Sequence, residues 1–523
     1  MSGRPRRRNA TETFAPRRGR TVPGVAPEAT PPLPGRHDTL AEAMDAAVTA
    51  FGDREAYVDG PRRLTYAEWM ASAAGVAAEL TRRGVQPGDV VAIALPPSID
   101  YAVAYAAIVR VGAVASGLNL RLGPREVTAI TSLAAPVLAF VDDDAPLAGL
   151  LTNIERITRA DLGEAAMRPG APRHRGRASD PVVIIWTSGT TGSPKGAWFD
   201  HDALRAAITT AGVMSAPFDR RLASTPFAHA GYMAKLWEQV AWGSTMVISP
   251  TPWAATDTVR LIADERITVA GAVPTQWAKV LEEPGIERLD TSSLRIGVVA
   301  TAPAPPDLVE QVTARLGCAL VVRYAMTESP SITGTEPGDP PDALYRSVGR
   351  PQPGVEVELR DDGVVVATGD VGRVHVRSAG MMRGYWGDPR LTAEAIDADG
   401  WLRSGDLARF DADGNLVLVG RVGDMYIRGG YNVYPLEVEH VIAEHPDVAE
   451  VAVVGVATPV LGEIGVAFVV AQPGRIAPGL DALRTWCRAR LADYKAPDEV
   501  VVLDALPRTP MLKVDKDALR ARQ

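Results

Sequence analysis

Five apolar residues, Val182 to Trp186, run directly into Thr187-Ser-Gly-Thr-Thr-Gly-Ser-Pro-Lys-Gly196. A short apolar run bounded by turn residues reads as a buried strand. The segment after the strand carries little beyond hydroxyls until Lys195. Backbone N–H groups left that bare wrap closely around a polyphosphate, the hydroxyls add donors, and Lys195 adds a point charge. A polar linker has no need of ten ordered small residues closing on Pro-Lys-Gly. The spacing fits neither the GxxxxGK loop of P-loop proteins nor the GxGxxG fingerprint of dinucleotide folds. The chain therefore has to place a strand so that its end meets phosphate.

The rest of the chain supplies partners for that strand. Further apolar runs lie at Asp89–Leu95, Val137–Val141, Thr245–Ile248, Ile267–Ala270, Ile296–Ala300 and Ala319–Arg323, with helical patterns between most of them. Thr65-Tyr-Ala-Glu68 is a capping box that starts one such helix, ending near Gly84. Strands alternating with helices predict α/β layers with largely parallel sheets. Between about residues 345 and 420 the texture turns to short strands, at Val355–Leu359, Gly372–Val376 and Asn415–Val419, with hairpin signals at Asp361-Asp-Gly363 and Asp413-Gly414. After Gly420 a last unit is predicted, with helices at Pro435–Glu444 and Leu480–Ala492 and strands at Val448–Val456 and Val466–Val470. The expected division is a basic, disordered tail over 1–36, a large N-terminal domain of α/β layers plus a small β-subdomain over 37–420, and a small mobile α+β C-terminal domain over 421–523.

Charge and composition narrow the partners. The net charge of −8 conceals a tail of +6 over residues 1–36, so the body carries −14. An acidic body argues against nucleic acid as the main partner. The arginine-rich start lacks the apolar core of a secretory signal, and the longest apolar stretch, Tyr101 to Leu120, is broken by Arg110. Two cysteines, Cys318 and Cys487, build neither a disulfide framework nor a zinc cluster. These features predict a cytoplasmic protein with no membrane span; oligomeric state is left open.

The Thr187–Gly196 run resembles the phosphate-binding signature of the ANL superfamily, which comprises acyl-CoA synthetases, adenylation domains and beetle luciferases. Four more strings are similar to family motifs, in the family's order. They are Tyr324-Ala-Met-Thr-Glu328 (YGxTE), Trp401-Leu-Arg-Ser-Gly-Asp406 (TGD), Gly420-Arg-Val-Gly-Asp-Met-Tyr-Ile-Arg-Gly-Gly430 (the inter-domain hinge) and Leu506-Pro-Arg-Thr-Pro-Met-Leu-Lys513 (PRTxxGK). The resemblance covers nearly the whole chain after the tail and implies an AMP-forming acid–thiol ligase using ATP, Mg²⁺ and CoA.

The resemblance also assigns roles. Thr187, Ser188, Gly189, Thr190, Thr191, Gly192 and Lys195 would hold phosphate, with Ala302 beside the nucleotide. Tyr324 would stack on adenine, Thr327 would reach a phosphate, and Glu328 would offer a hard oxygen to Mg²⁺. Asp406 and Arg421 would hold the ribose. Lys513 would stabilise charge as a carboxylate displaces pyrophosphate. His229, in Pro226-Phe-Ala-His-Ala-Gly231, resembles the gate beside the acyl carboxylate. Gly429 and Gly430 match the face that passes the pantetheine arm after the small domain rotates.

The expected reaction is carboxylate plus ATP to acyl-AMP, then transfer to CoA. The alternative acceptor is the phosphopantetheine of a carrier protein, and a third reading is a nucleotide-binding member without turnover. Phe227-Ala-His-Ala lacks the aspartate that α-amino acid adenylation usually requires. Trp237 and Trp277 either shorten the acyl pocket, favouring a short, medium or compact cyclic acid, or belong to the core. Lys235 either meets a second substrate carboxylate or lies at the surface. Departures from the family pattern are Gly423 at the hinge, Leu512 before the lysine, Ala325 in YGxTE and Ala300-Thr301 in place of a Gly pair.

Overall fold

The computed structural model describes residues 30–142, 145–188, 194–299, 306–458, 460–509 and 514–522. Among these, one mixed sheet runs in the order Gly384–Tyr385, Pro194–Asp200, Pro181–Ser188, Val114–Gly117, Val90–Ala94, Leu138–Val141, Glu155–Thr158. Its strands from Pro181–Ser188 to Glu155–Thr158 are parallel, and the two edge pairings beyond Pro181–Ser188 are antiparallel. A second sheet is parallel from Glu55–Asp59 through Thr245–Ile248, Arg220–Ala223, Val269–Ala272 and Ile296–Val299 to Ala319–Met326. At that end Ser329–Gly334 and Arg350–Pro351 continue it antiparallel. The expected α/β layering is what the sequence builds.

Helix Ile99–Val111 lies in the core with every residue buried. That explains its apolar run, and 13 residues would not cross a bilayer. Arg110, the break in the run, reaches Asp45 at 2.6 Å. Among the described residues no helix is long and apolar enough to cross a membrane. The capping box forms as read: Thr65 accepts from the Glu68 N–H, and Glu68 from the Thr65 N–H at 2.8 Å.

The small antiparallel sheet holds Val364–Val365, Val355–Asp361, Gly372–Ser378, Leu402–Phe410 and Leu416–Arg421. Asp362 and Gly363 both have positive φ (43° and 81°), the backbone of a two-residue hairpin loop. In the C-terminal unit, helices Pro435–Ala443 and Leu480–Arg488 cover one face of a sheet built on the hairpin Val448–Thr458 and Gly462–Ala471. This unit is the small C-terminal domain, with Val438, Ile442, Val453, Val469 and Leu483 in its own core.

Two elements differ from expectation. The strand expected at Ile267–Ala270 occupies Val269–Ala272. Ile267 instead closes the preceding helix: its N–H donates to the Ile262 carbonyl at 3.1 Å, with Arg266 left-handed at φ 50°. The helix expected over Leu480–Ala492 stops at Arg488.

A buried ion network braces the second sheet against helix Leu236–Trp242. Glu238, 2% exposed, meets Arg221 at 2.6 Å, Lys235 at 3.3 Å and the Ser215 hydroxyl at 2.7 Å. Burial alone would raise the Glu238 pKa, but Lys235 and Arg221 hold it at about 2. A carboxylate depressed below its unfolded value stabilises the fold above pH ~4.5, and loses that contribution as pH falls towards 2. Glu238→Gln removes the carboxylate that Lys235 and Arg221 share, leaving Arg221 with Asp219 as its acidic neighbour, and should destabilise the fold by about 3–5 kcal/mol at pH 7. In urea denaturation the gap between wild type and variant should narrow below pH ~4.5; a gap independent of pH would contradict this account.

Candidate active site

The phosphate hairpin is set by register. Thr187 pairs with Lys195 and Ser188 with Pro194, so the first strand extends through Ser188. Gly189, Thr190, Thr191 and Gly192 lie outside the described residues. Gly196 has no room for a side chain: a Cβ would fall 2.7 Å from Ile184 and 2.9 Å from the Trp186 ring. Trp186 is itself pinned, its indole N–H donating to the Ser116 hydroxyl at 2.9 Å.

The second motif caps a parallel strand. Ala319–Met326 turns back at Thr327 and Glu328 into Ser329–Gly334, with Met326 opposite Ser329. Both residues therefore stand at the carboxyl end of the parallel strands, where α/β folds bind ligands. Ala325 sits at an irregularity in the pairing and is exposed, and it is not among the residues with positive φ, so alanine fits there. Glu328 is 8% exposed. Its Oε1 accepts from the Tyr385 hydroxyl at 2.8 Å.

Tyr385 is a site residue that motif reading missed. It follows Gly384 in the two-residue strand paired against Pro194–Asp200, with Tyr385 opposite Ala197. Its ring centroid lies 5.6 Å from Lys195 Nζ. Burial, with Glu328 beside it, pushes the Tyr385 phenol well above its usual range, so it stays a donor. The available signal was Gly384-Tyr385-Trp386, a glycine before two aromatics between two strand-rich segments.

Asp406 and Arg421 are direct partners across the small sheet. Arg421 Nε reaches Asp406 Oδ1 at 2.9 Å, and the Tyr324 hydroxyl donates to Asp406 Oδ2 at 2.5 Å. The Tyr324 ring packs with Ile332, Val355 and Leu416, leaving the residue 9% exposed. Burial, then the neighbouring Asp406 charge, raise its phenol pKa far above normal and keep it a donor. Two residues, Tyr324 and Arg421, thus converge on the carboxylate of a third, Asp406, each from a different motif.

His229 is the N-cap of the short helix Ala230–Met233, its Nδ1 accepting from the Gly231 N–H at 3.3 Å. Trp237 and Trp277 are each 1% exposed, in separate cores; the Trp277 indole donates to the Val298 carbonyl at 3.1 Å. Both are core residues, and Lys235 pairs with Glu238. Gly429 and Gly430 form the tip of the hairpin Tyr426–Arg428 and Tyr431–Val433. Gly423 takes φ 95°, a left-handed conformation that glycine adopts without strain. Ala302 and Lys513 lie outside the described residues.

Comparison with known proteins decides the family. Residues 44–386 match the AMP-binding enzyme family, and residues 437–513 its C-terminal domain. The chain belongs to the AMP-binding enzymes. It is 36% identical to the 3-[(3aS,4S,7aS)-7a-methyl-1,5-dioxo-octahydro-1H-inden-4-yl]propanoyl:CoA ligase of Mycobacterium tuberculosis, over 92% of this chain and 98% of that one. It is 33% identical to the fatty acid–[acyl-carrier-protein] ligase ScoC of Streptomyces coeruleorubidus, over 88% and 92%. Among solved structures, ATP-bound MatB from Rhodopseudomonas palustris matches with a TM-score of 0.84 at 29% identity, covering 92% of this chain and 98% of MatB.

As an AMP-binding enzyme, the chain should depend on Asp406 for nucleotide affinity. Loss of a charge-assisted hydrogen bond costs about 1.5–3 kcal/mol. Asp406→Asn should therefore raise the KM for ATP by roughly 10–100-fold, measured by pyrophosphate release. An unchanged ATP KM would remove Asp406 from the nucleotide site.

Proposed function

We propose that this enzyme is an AMP-forming acyl-CoA ligase. A carboxylate oxygen attacks the α-phosphorus of ATP, the bond to the β-phosphate oxygen breaks, and pyrophosphate leaves. The thiol of CoA then attacks the acyl carbon of the mixed anhydride, loses its proton, and AMP leaves. The observation that carries this reading is the convergence of two motif residues, Tyr324 and Arg421, on the carboxylate of a third, Asp406, in a chain that aligns over nearly its whole length with CoA ligases.

The chain's residues divide the work. Asp406 is held by Arg421 and Tyr324 with little freedom to turn, so it is ready to accept from a ribose hydroxyl. Lys195 and the glycine- and threonine-rich segment before it are proposed to hold phosphate, and Lys513 to supply positive charge where the α-phosphate is attacked. The donor set suits Mg²⁺: Glu328 gives Oε1 to Tyr385, and its Oε2 makes no hydrogen bond among the described residues. Among the described residues no cluster of three or more His, Cys, Asp or Glu side chains could hold a metal. One carboxylate completed by phosphate and water is the usual Mg²⁺ arrangement. When bound, Mg²⁺ neutralises phosphate charge and favours the departure of pyrophosphate. His229 is proposed as the gate at the acyl carboxylate, a role that its helix-capping contact to the Gly231 N–H supports by anchoring the ring. Gly423 is proposed as the pivot that lets the domain beyond residue 420 present Lys513 for adenylation and Gly429-Gly430 for the thiol.

A carrier-protein thiol is the second reading, supported by the likeness to ScoC, and both acceptors present the same pantetheine arm. A mass-spectrometric screen of carboxylic acids with ATP and Mg²⁺, with and without CoA, tests the proposal. An acyl-CoA product is expected. Acyl-AMP that free CoA leaves untouched would favour a carrier protein, and the absence of both products across the panel would overturn the proposal. Lys513→Ala should lower acyl-AMP formation at least ~100-fold while transfer from supplied acyl-AMP to CoA persists. Adenylation surviving at near wild-type rate would contradict the role of Lys513.

A further inference from the structure

Lys195 and Glu328 carry opposite charges close to the same aromatic ring, yet they form no ion pair among the described residues. Tyr385 stands between them. Its hydroxyl donates to Glu328 Oε1 at 2.8 Å, and its ring centroid lies 5.6 Å from Lys195 Nζ, within range of a cation–π contact. Without a spacer, an ammonium and a buried carboxylate this near each other would collapse together. The pair would then be spent on one another, the lysine lost to phosphate and the carboxylate to a cation.

The backbone holds the spacer in place. Tyr385 is paired opposite Ala197 on the strand that leaves the phosphate loop. Its N–H donates to the Thr392 hydroxyl at 2.9 Å, and the next residue, Trp386, donates to the Gly196 carbonyl at 2.7 Å. From the other side, the Met382 N–H donates to the Glu328 carbonyl at 2.8 Å. One segment, residues 382–386, is therefore stitched both to the Glu328 turn and to the Lys195 strand.

We infer that Tyr385 is a positioning residue for the phosphate and Mg²⁺ site: its hydroxyl orients Glu328 so that Oε2 faces the cation, and its ring keeps Lys195 apart from that carboxylate and turned to phosphate. The inference rests on the reading of Glu328 as the Mg²⁺ ligand. Groups that orient a ligating side chain typically change metal affinity by about 10–100-fold when removed.

The two functions of the side chain separate by substitution. Tyr385→Phe keeps the ring and removes the hydroxyl. It should weaken Mn²⁺ binding, read by electron paramagnetic resonance in the presence of a non-hydrolysable ATP analogue, by roughly 10-fold or more. The circular dichroism of the nucleotide-free variant should match wild type, and its KM for acid and CoA should change far less than its Mn²⁺ affinity. Tyr385→Leu removes the ring as well and should additionally raise the KM for ATP, because Lys195 is then free to pair with Glu328. Adding Glu328→Gln to Tyr385→Leu should restore part of the affinity for metal-free ATP, measured by calorimetry, since the lysine's competing partner is gone. If Tyr385→Phe binds Mn²⁺ as wild type while Glu328→Gln loses it, Glu328 is the ligand and Tyr385 does not position it. If Glu328→Gln binds Mn²⁺ unchanged, the metal-ligand reading itself falls, and this inference with it.

Discussion

Strand Pro194–Asp200 is paired along both edges, and the geometry of the site depends on that pairing. On one side it aligns Lys195 with Thr187, fixing where the phosphate loop begins and ends. On the other it aligns Ala197 with Tyr385, and Tyr385 reaches Glu328 at the end of a different sheet. One strand thus sets the distance between the cationic and the acidic halves of the site. Gly196 makes this close packing feasible, because any side chain there would collide with Ile184 and Trp186.

The nucleotide end shows the same economy. Asp406 and Arg421 belong to neighbouring strands of the small sheet, while Tyr324 comes from the end of the second parallel sheet. Their hydrogen bonds at 2.5 and 2.9 Å tie the β-subdomain to the α/β layers through a carboxylate whose side chain is 13% exposed. Arg421, 57% exposed, also precedes Gly423, so the proposed nucleotide contact and the left-handed glycine proposed as the pivot are two positions apart. Just after Gly423, Asp424 pairs with Arg520 at 3.1 Å, which joins this segment to the last helix of the small domain.

Much of this was legible before the structure. The apolar runs at Thr245–Ile248 and Val137–Val141, the capping box at Thr65 and the Asp362-Gly363 turn are local signals with local causes, and they form where expected, the second strand starting one residue later at Leu138. Ile267 was misplaced because a β-branched apolar residue fits a strand and the closing contact of a helix equally well. Trp237 and Trp277 could not be assigned from sequence, since a bulky residue after a site motif serves a pocket or a core alike; burial settles them as core. Tyr385 was missed for a deeper reason. The role proposed for it rests on strand pairing between residues nearly two hundred positions apart, and its local signal, Gly384-Tyr385-Trp386, does not name that partner.

The central claim is that activation passes through an acyl-adenylate, and oxygen labelling tests it most directly. An acid found active in the product screen would be supplied with ¹⁸O in both carboxylate oxygens, together with ATP, Mg²⁺ and CoA. Attack on the α-phosphorus followed by thiolysis at the acyl carbon must leave one labelled oxygen on AMP. The account predicts AMP carrying one ¹⁸O for each thioester formed. Label in pyrophosphate or inorganic phosphate, or unlabelled AMP beside labelled water, would contradict it.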